Sequence, residues 1–244
     1  MEYGISGYQS HYRFRKKSVI ELDSQLAHLT GNTVSDKVYL LATKEDDNLI
    51  YTDLTLVIEN GTTGERQFYQ IPTSSGMGGG LDIAEFNHDG QCDVGVYIFS
   101  GGTGNQVDYY IFFNQGQGVQ LGFSNHLLEQ RLQFRISYLP NYQVEVRNLK
   151  TNEVTLLDVS NKSPEYLNEV YHENGELKNS VTGVVANVSD SNAINSQIHP
   201  QGHDLILTQR ILGRSHNDTI GLIQSYISFD NEKYYVYQSV VSQK

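Results

Sequence analysis

The 244-residue chain has only one cysteine, Cys92. A single cysteine excludes an internal disulfide, and it is compatible with a reducing compartment. Cys92 directly precedes Asp93 in a polar loop, at a position where an apolar side chain would pack beneath the loop. We therefore expect a buried, inert thiol rather than a nucleophile.

Long apolar runs and clusters of basic residues are also missing. No segment approaches the length of a membrane span, which predicts no membrane insertion. Residues 1–6 lack the charged and apolar regions of a signal peptide, so we expect cytoplasmic synthesis and retention inside the cell. The formal net charge of −11 and the single short basic run at 13–17 argue against a nucleic-acid or anionic-membrane partner.

Tryptophan is absent, whereas tyrosine occurs 17 times and glycine 22 times. Short runs of β-branched and aromatic residues, separated by turn signals, extend over most of the chain and predict an all-β fold. One short helix is expected near 164–171. Ser163 can cap it, Pro164 suits the first helical position, and the charge of Glu165 is favourable near a helix N-terminus.

The predicted strands fall into a repeated unit, which combines an approach strand, a polar loop ending in aspartate, an apolar strand and a hairpin. The polar loops end at Asp36, Asp93 and Asp204, and the segment 131–159 lacks such a loop. Units of about four strands would resemble the blades of a β-propeller, which packs its sheets radially. We predict a single all-β, propeller-like domain over 1–244 with about four antiparallel sheet units, roughly at 18–72, 81–124, 130–160 and 181–242.

The loop at 85–93 reads Glu-Phe-Asn-His-Asp-Gly-Gln-Cys-Asp, with oxygen-bearing side chains at alternate positions. This spacing suits a hard cation, and Gly90 permits the sharp turn. An EF-hand would have a glutamate at the twelfth position, where this chain has Val96. Val96 lies in the apolar run 94–99, so we expect the loop to lead into a strand rather than a helix. A plain polar turn explains the same residues equally well. The predicted calcium ligands are the side chains of Glu85, Asn87, Asp89 and Asp93 and the carbonyl of Gln91.

This loop and its flanking strands resemble the FG-GAP/VCBS repeats of integrin-type β-propellers. The wider chain is similar to VCBS-repeat proteins of spore-forming Bacillus-like bacteria. The similarity is carried by segments 38–41, 54–58, 100–104, 164–171 and 209–214. The resemblance implies a propeller-like fold and a non-enzymatic binding or structural role, and a spore-surface association is a further expectation. Glu85 departs from the aspartate that is usual in these repeats, and at most one complete calcium site survives.

Three functional hypotheses follow. The first is a non-enzymatic, calcium-binding structural module, or a module that binds a protein or polysaccharide partner. The second is a hydrolase acting on a carbohydrate or cell-wall polymer, because paired catalytic carboxylates can be distant in sequence. The third is a ligand-free subunit that associates with itself.

Two further groups of residues are candidate sites. His199 and His203 have zinc-like spacing, but Pro200 and Gly202 argue against a helix, so we interpret the pair as exposed loop histidines. The tyrosine pairs at 109–110 and 234–235 could form an aromatic binding surface. Because neighbouring strand residues face opposite sides, we expect one tyrosine of each pair in the core.

Overall fold

The computed structural model describes residues 16–31, 33–101, 104–129, 132–230 and 233–244. Within them the chain forms sixteen strands and two short helices. Neither helix is long and apolar enough to cross a membrane.

The N-terminal half of the described chain forms two antiparallel sheets, each with its strands in sequence order. The first sheet contains β1 (Lys17–Ala27), β2 (Asp36–Glu45), β3 (Tyr51–Glu59) and β4 (Arg66–Gln70), with the short β5 (Ser75–Gly76) paired to β3. The second sheet contains β6 (Gly78–Ala84), β7 (Asp93–Gly101), β8 (Gln106–Asn114) and β9 (Val119–Ser124).

The C-terminal half forms two further antiparallel sheets in the same consecutive order. The third sheet contains β10 (Phe134–Leu139), β11 (Gln143–Asn148) and β12 (Val154–Asp158). The fourth sheet contains β13 (Val184–Asn195), β14 (His203–Leu212), β15 (Thr219–Asp230) and β16 (Lys233–Gln243). The predicted all-β class with about four antiparallel sheet units is therefore confirmed.

The predicted short helix is present as α2 (Pro164–Val170). The Ser163 hydroxyl accepts a hydrogen bond from the Tyr166 N–H at 3.3 Å, as expected of an N-cap. A second helix, α1 (Asn125–Glu129), follows β9 and was not predicted. At five residues it is too short for a helical repeat of apolar residues to be visible in the sequence.

Three clusters of buried side chains join the sheets in the spatial order first, second, fourth, third. Leu40 of the first sheet and Val96 of the second belong to one cluster. Side chains of β8 and β14 meet in the next cluster, and side chains of β11 and β15 meet in the last. In the described part of the chain, no buried cluster joins the first sheet to the third. Closure of the sheets into a propeller ring therefore stays a prediction.

The tyrosine pair on β8 shows the consequence of this order. We expected one tyrosine of this pair in the core, and the structure buries both Tyr109 and Tyr110. Tyr110 packs in the cluster shared with the first sheet, whereas Tyr109 packs in the cluster shared with the fourth. Because both faces of the second sheet are covered, strand alternation does not leave one side in solvent.

Candidate functional site

Buried aspartates close the polar loop that precedes the second strand of three sheets. Asp36, Asp93 and Asp204 are fully buried and lie at the starts of β2, β7 and β14. In each case one carboxylate oxygen, Oδ2, accepts the backbone N–H of the residue seven positions earlier. The donors are Leu29 at 2.9 Å, Phe86 at 2.9 Å and Gln197 at 3.3 Å. The aspartate that ends each sequence unit is thus a structural anchor.

The second oxygen of two of these carboxylates reaches the neighbouring third strand at the same end of the sheet. Asp36 Oδ1 accepts the N–H of Gly61 at 3.0 Å, in the turn after β3. Asp93 Oδ1 accepts the N–H of Asn114 at 2.8 Å, at the end of β8. One carboxylate therefore joins the loop before the second strand to the turn after the third strand. The first sheet keeps this arrangement without the other carboxylates of a calcium loop.

The two anchors differ in their electrostatics. Burial acts to raise the pKa of Asp36, but hydrogen bonds from Gly61, Leu29 and Thr30 together hold this pKa below its usual value. Burial raises the pKa of Asp93 from 3.8 to about 6, although three backbone N–H groups bond to its carboxylate. The negative charge of Asp89 adds to the increase. None of the described residues acts on the pKa of the buried Asp93 as a compensating positive charge.

The loop at 85–93 brings three of the predicted calcium ligands together. The N–H of Asp89 donates to Glu85 Oε1 at 3.1 Å and to Asn87 Oδ1 at 3.3 Å. Asn87 Nδ2 donates to Asp89 Oδ2 at 3.2 Å, and the N–H of Gln91 donates to Asp89 Oδ1 at 2.8 Å. Asp93 instead accepts backbone N–H groups, from Phe86 and Asn87 in this loop and from Asn114 at the end of β8. No three His, Cys, Asp or Glu side chains of the described residues form a ready metal site.

A neighbouring loop of the fourth sheet packs against this loop. The N–H of His203 donates to the carbonyl oxygen of Glu85 at 2.7 Å. The imidazole rings of His88 and His199 are stacked, with 3.8 Å between centroids and 29° between planes. Gly202 permits this contact, because a Cβ at that position would lie 2.2 Å from His88 Nδ1. Sequence reasoning missed the pairing, since the two histidines are 111 positions apart.

The expected exposure of His199 and His203 is wrong, because both residues are half-buried. His199 is covered by His88, and the His203 ring lies against Phe86 with 6.5 Å between centroids. Cys92 is likewise half-buried, and burial raises the pKa of its thiol. A low-pKa nucleophile is therefore not present at this position.

A cavity of about 590 Å³ lies between the two loops. Glu85, His88, Cys92, His199 and Gly202 contribute to its lining. Its polar groups come from two sheets that are not consecutive in sequence, so the spatial order of the sheets creates the site.

A second cavity, of about 410 Å³, runs beside β16. Tyr234, Tyr235 and Tyr237 line one side, and Asn148 and Glu153 from the β11–β12 turn line the other. The tyrosine pair at 234–235 thus belongs to a groove, and Tyr235 is exposed, as the aromatic-surface hypothesis requires.

Comparisons with known proteins give one relative and one family. The family described as YybI C-terminal domain matches residues 132–242. These residues include the third sheet and all but the last residue of the fourth. The chain is similar to YybI. It is 28% identical over 228 residues to the "Uncharacterized protein YybI" of Bacillus subtilis (strain 168), covering 93% of this chain and 87% of that protein.

The organism of this relative agrees with the expected similarity to proteins of Bacillus-like bacteria. The matches give no support for FG-GAP or VCBS repeats. No solved structure matches the chain significantly.

Proposed function

We propose that the chain is a non-enzymatic structural or binding module stabilised by calcium at 85–93. The observation that carries this proposal is the clustering of Glu85, Asn87 and Asp89. Glu85 Oε1 and Asn87 Oδ1 both accept the N–H of Asp89, and the Asp89 carboxylate accepts a hydrogen bond from Asn87 Nδ2. These side chains are oxygen donors within one loop, and Ca²⁺ prefers oxygen ligands.

The ligand set fits calcium in part. Glu85, Asn87 and Asp89 supply side-chain oxygens, and the carbonyl of Gln91 is the predicted backbone ligand. Asp93 already accepts three N–H bonds, but a carboxylate has about four acceptor positions, so it retains capacity for one more contact. A divalent cation would also supply the positive charge that the buried Asp93 lacks.

The groove beside β16 is where we propose a protein or polysaccharide partner binds. Its volume of about 410 Å³ lies within the range of ligand sites. Its three tyrosines offer flat apolar faces with a polar end, and Asn148 and Glu153 offer hydrogen-bonding groups. A place in a spore or cell-surface assembly is consistent with such a role.

Self-association is a second candidate role, favoured by the edges of the first sheet. Val19 and Leu26 on β1 are 71% and 70% exposed, and Phe68 on β4 is 65% exposed. Unpaired edge strands with exposed apolar side chains favour pairing with another chain. Light scattering across a range of concentrations measures this directly, and a constant monomer mass would exclude it.

Thermal melting tests the calcium proposal. Chelator-treated protein is melted with and without added Ca²⁺, alongside Asp89→Ala and the control Glu65→Ala, which changes an exposed acidic residue in a hairpin turn. We expect Ca²⁺ to raise the Tm of the unaltered chain and of the control but not that of Asp89→Ala. An unchanged Tm for the unaltered chain at millimolar Ca²⁺ would remove the calcium role.

A further inference from the structure

We propose that the His88–His199 contact is a binding site for a transition-metal ion of the Zn²⁺ class, with the Glu85 carboxylate as third ligand. Imidazole nitrogens are ligands for zinc and similar metals, whereas calcium takes oxygen ligands. The site is therefore chemically distinct from the calcium loop, although Glu85 belongs to both.

The first observation is the state of the His88 ring. Its side chain is 17% exposed, and both ring nitrogens are shielded from solvent. Neither nitrogen has a hydrogen-bond partner within the described residues. Buried polar atoms are almost always hydrogen-bonded, and an unpaired one in a native fold requires an explanation such as a bound ion.

The second observation is the backbone that places this ring. His88 has a φ of 64°, in the left-handed region that residues with a Cβ rarely adopt. Such a conformation is strained and persists only where the surroundings enforce it. Gly202, on the opposite loop, leaves the space that the ring occupies. A left-handed backbone at His88 and a missing Cβ at Gly202, on separate loops, thus accommodate one imidazole.

The third observation is the proximity of the three ligand groups. Glu85 Oε2 lies 3.6 Å from His88 Nδ1, and the His88 and His199 rings are 3.8 Å apart. Ligand atoms around tetrahedral zinc are separated by roughly 3.4 Å, given bond lengths near 2.1 Å. The rings are nearly parallel, so their nitrogens do not yet converge, and no ready triad exists among the described residues. Rotation of one ring within the adjoining cavity of about 590 Å³ would bring the nitrogens together.

A metal at this point would join the loop before β7 to the loop before β14. Glu85 uses Oε1 within its own loop and directs Oε2 toward His88, so the two cation sites use different oxygens. The bound ion would fix the second sheet against the fourth, and water would complete the coordination shell.

The test is titration of tag-free, EDTA-stripped protein with ZnCl₂ by calorimetry, and with CoCl₂ followed by visible absorption. We expect one site, with affinity reduced at least tenfold in His199→Ala and in His88→Asn, since asparagine tolerates positive φ. His172→Ala, a change at an exposed histidine outside the site, should bind like the unaltered chain. Asp89→Ala should lose the calcium response and keep zinc binding, so the two proposals can fail separately.

Two results would overturn the site. One is the absence of any Zn²⁺ or Co²⁺ binding by the stripped, unaltered chain at micromolar metal. The other is binding that both histidine variants leave unchanged. The variant His199→Ala removes no positive-φ residue, so it remains informative if His88→Asn fails to fold.

Discussion

The substitution Asp93→Asn should remove a pH dependence of stability that is opposite in sign to the one an aspartate usually gives. In the fold, burial raises the pKa of Asp93 from 3.8 to about 6. A carboxyl whose pKa is raised stabilises the fold fully below its unfolded pKa, and this contribution is lost as the pH rises through the folded value. The unaltered chain should therefore lose stability relative to Asp93→Asn between about pH 4 and pH 6. The shift of roughly two units corresponds to about 3 kcal/mol.

Urea unfolding at a series of pH values in the presence of a chelator measures this difference. Asp93→Asn also loses an acceptor for backbone N–H groups, which lowers its stability at every pH by about 1–3 kcal/mol. The informative quantity is therefore the slope of the stability difference against pH rather than its size. Saturating Ca²⁺ should flatten the slope, because a nearby cation favours the ionised carboxylate.

Asp36→Asn is the matched control, since Asp36 has the same anchoring geometry and the opposite pKa shift. Its pKa is lowered by the N–H bonds it accepts, despite burial. The stability that Asp36 contributes is present above the unfolded pKa and is lost as the pH falls through the folded value. The two variants should thus show slopes of opposite sign. The quantity compared is the free energy of unfolding of the unaltered chain minus that of the variant. If this difference for Asp93→Asn does not change with pH, or rises with pH as for Asp36→Asn, the reasoning is refuted.

Two further substitutions test the packing of a buried ring and the cap of a helix. Phe229→Ala should lower the free energy of unfolding by about 3–5 kcal/mol, because its buried ring makes edge contacts with Phe86, Phe113 and Phe123. Calorimetry should show a Tm lower by on the order of 10 °C. A decrease under 2 °C would contradict the burial of Phe229 between the second and fourth sheets. Ser163→Ala should cost about 1 kcal/mol through loss of the α2 cap, whereas Ser163→Asp should preserve stability in urea unfolding; equal losses in both would show that the cap is not responsible.

Local signals predicted much of the fold. Alternating apolar residues and turn signals indicated the strands, and Ser163 and Pro164 indicated α2. The aspartates at the ends of the polar loops were recognised as a repeat, but their role was not. Spacing alone does not distinguish an oxygen that binds a cation from one that accepts backbone N–H groups, as Asp93 does.

The contacts between sheets could not be predicted in the same way. The stacking of His88 on His199 depends on the fourth sheet lying beside the second, and no short-range pattern encodes that order. The burial of both Tyr109 and Tyr110 has the same origin. Alternation along a strand predicts which side chains share a face, but whether each face is covered depends on distant segments.

The spatial order of the sheets also bears on synthesis. The first two sheets share a cluster formed from residues 27–119, so all its members are available before the later residues leave the ribosome. Residues 134–241 then form another cluster, between the third and fourth sheets. All of these residues lie within the segment that matches the YybI C-terminal domain. Each half of the chain can thus fold around its own cluster as it is synthesised. The cluster shared by the second and fourth sheets then forms when the two folded halves pack together.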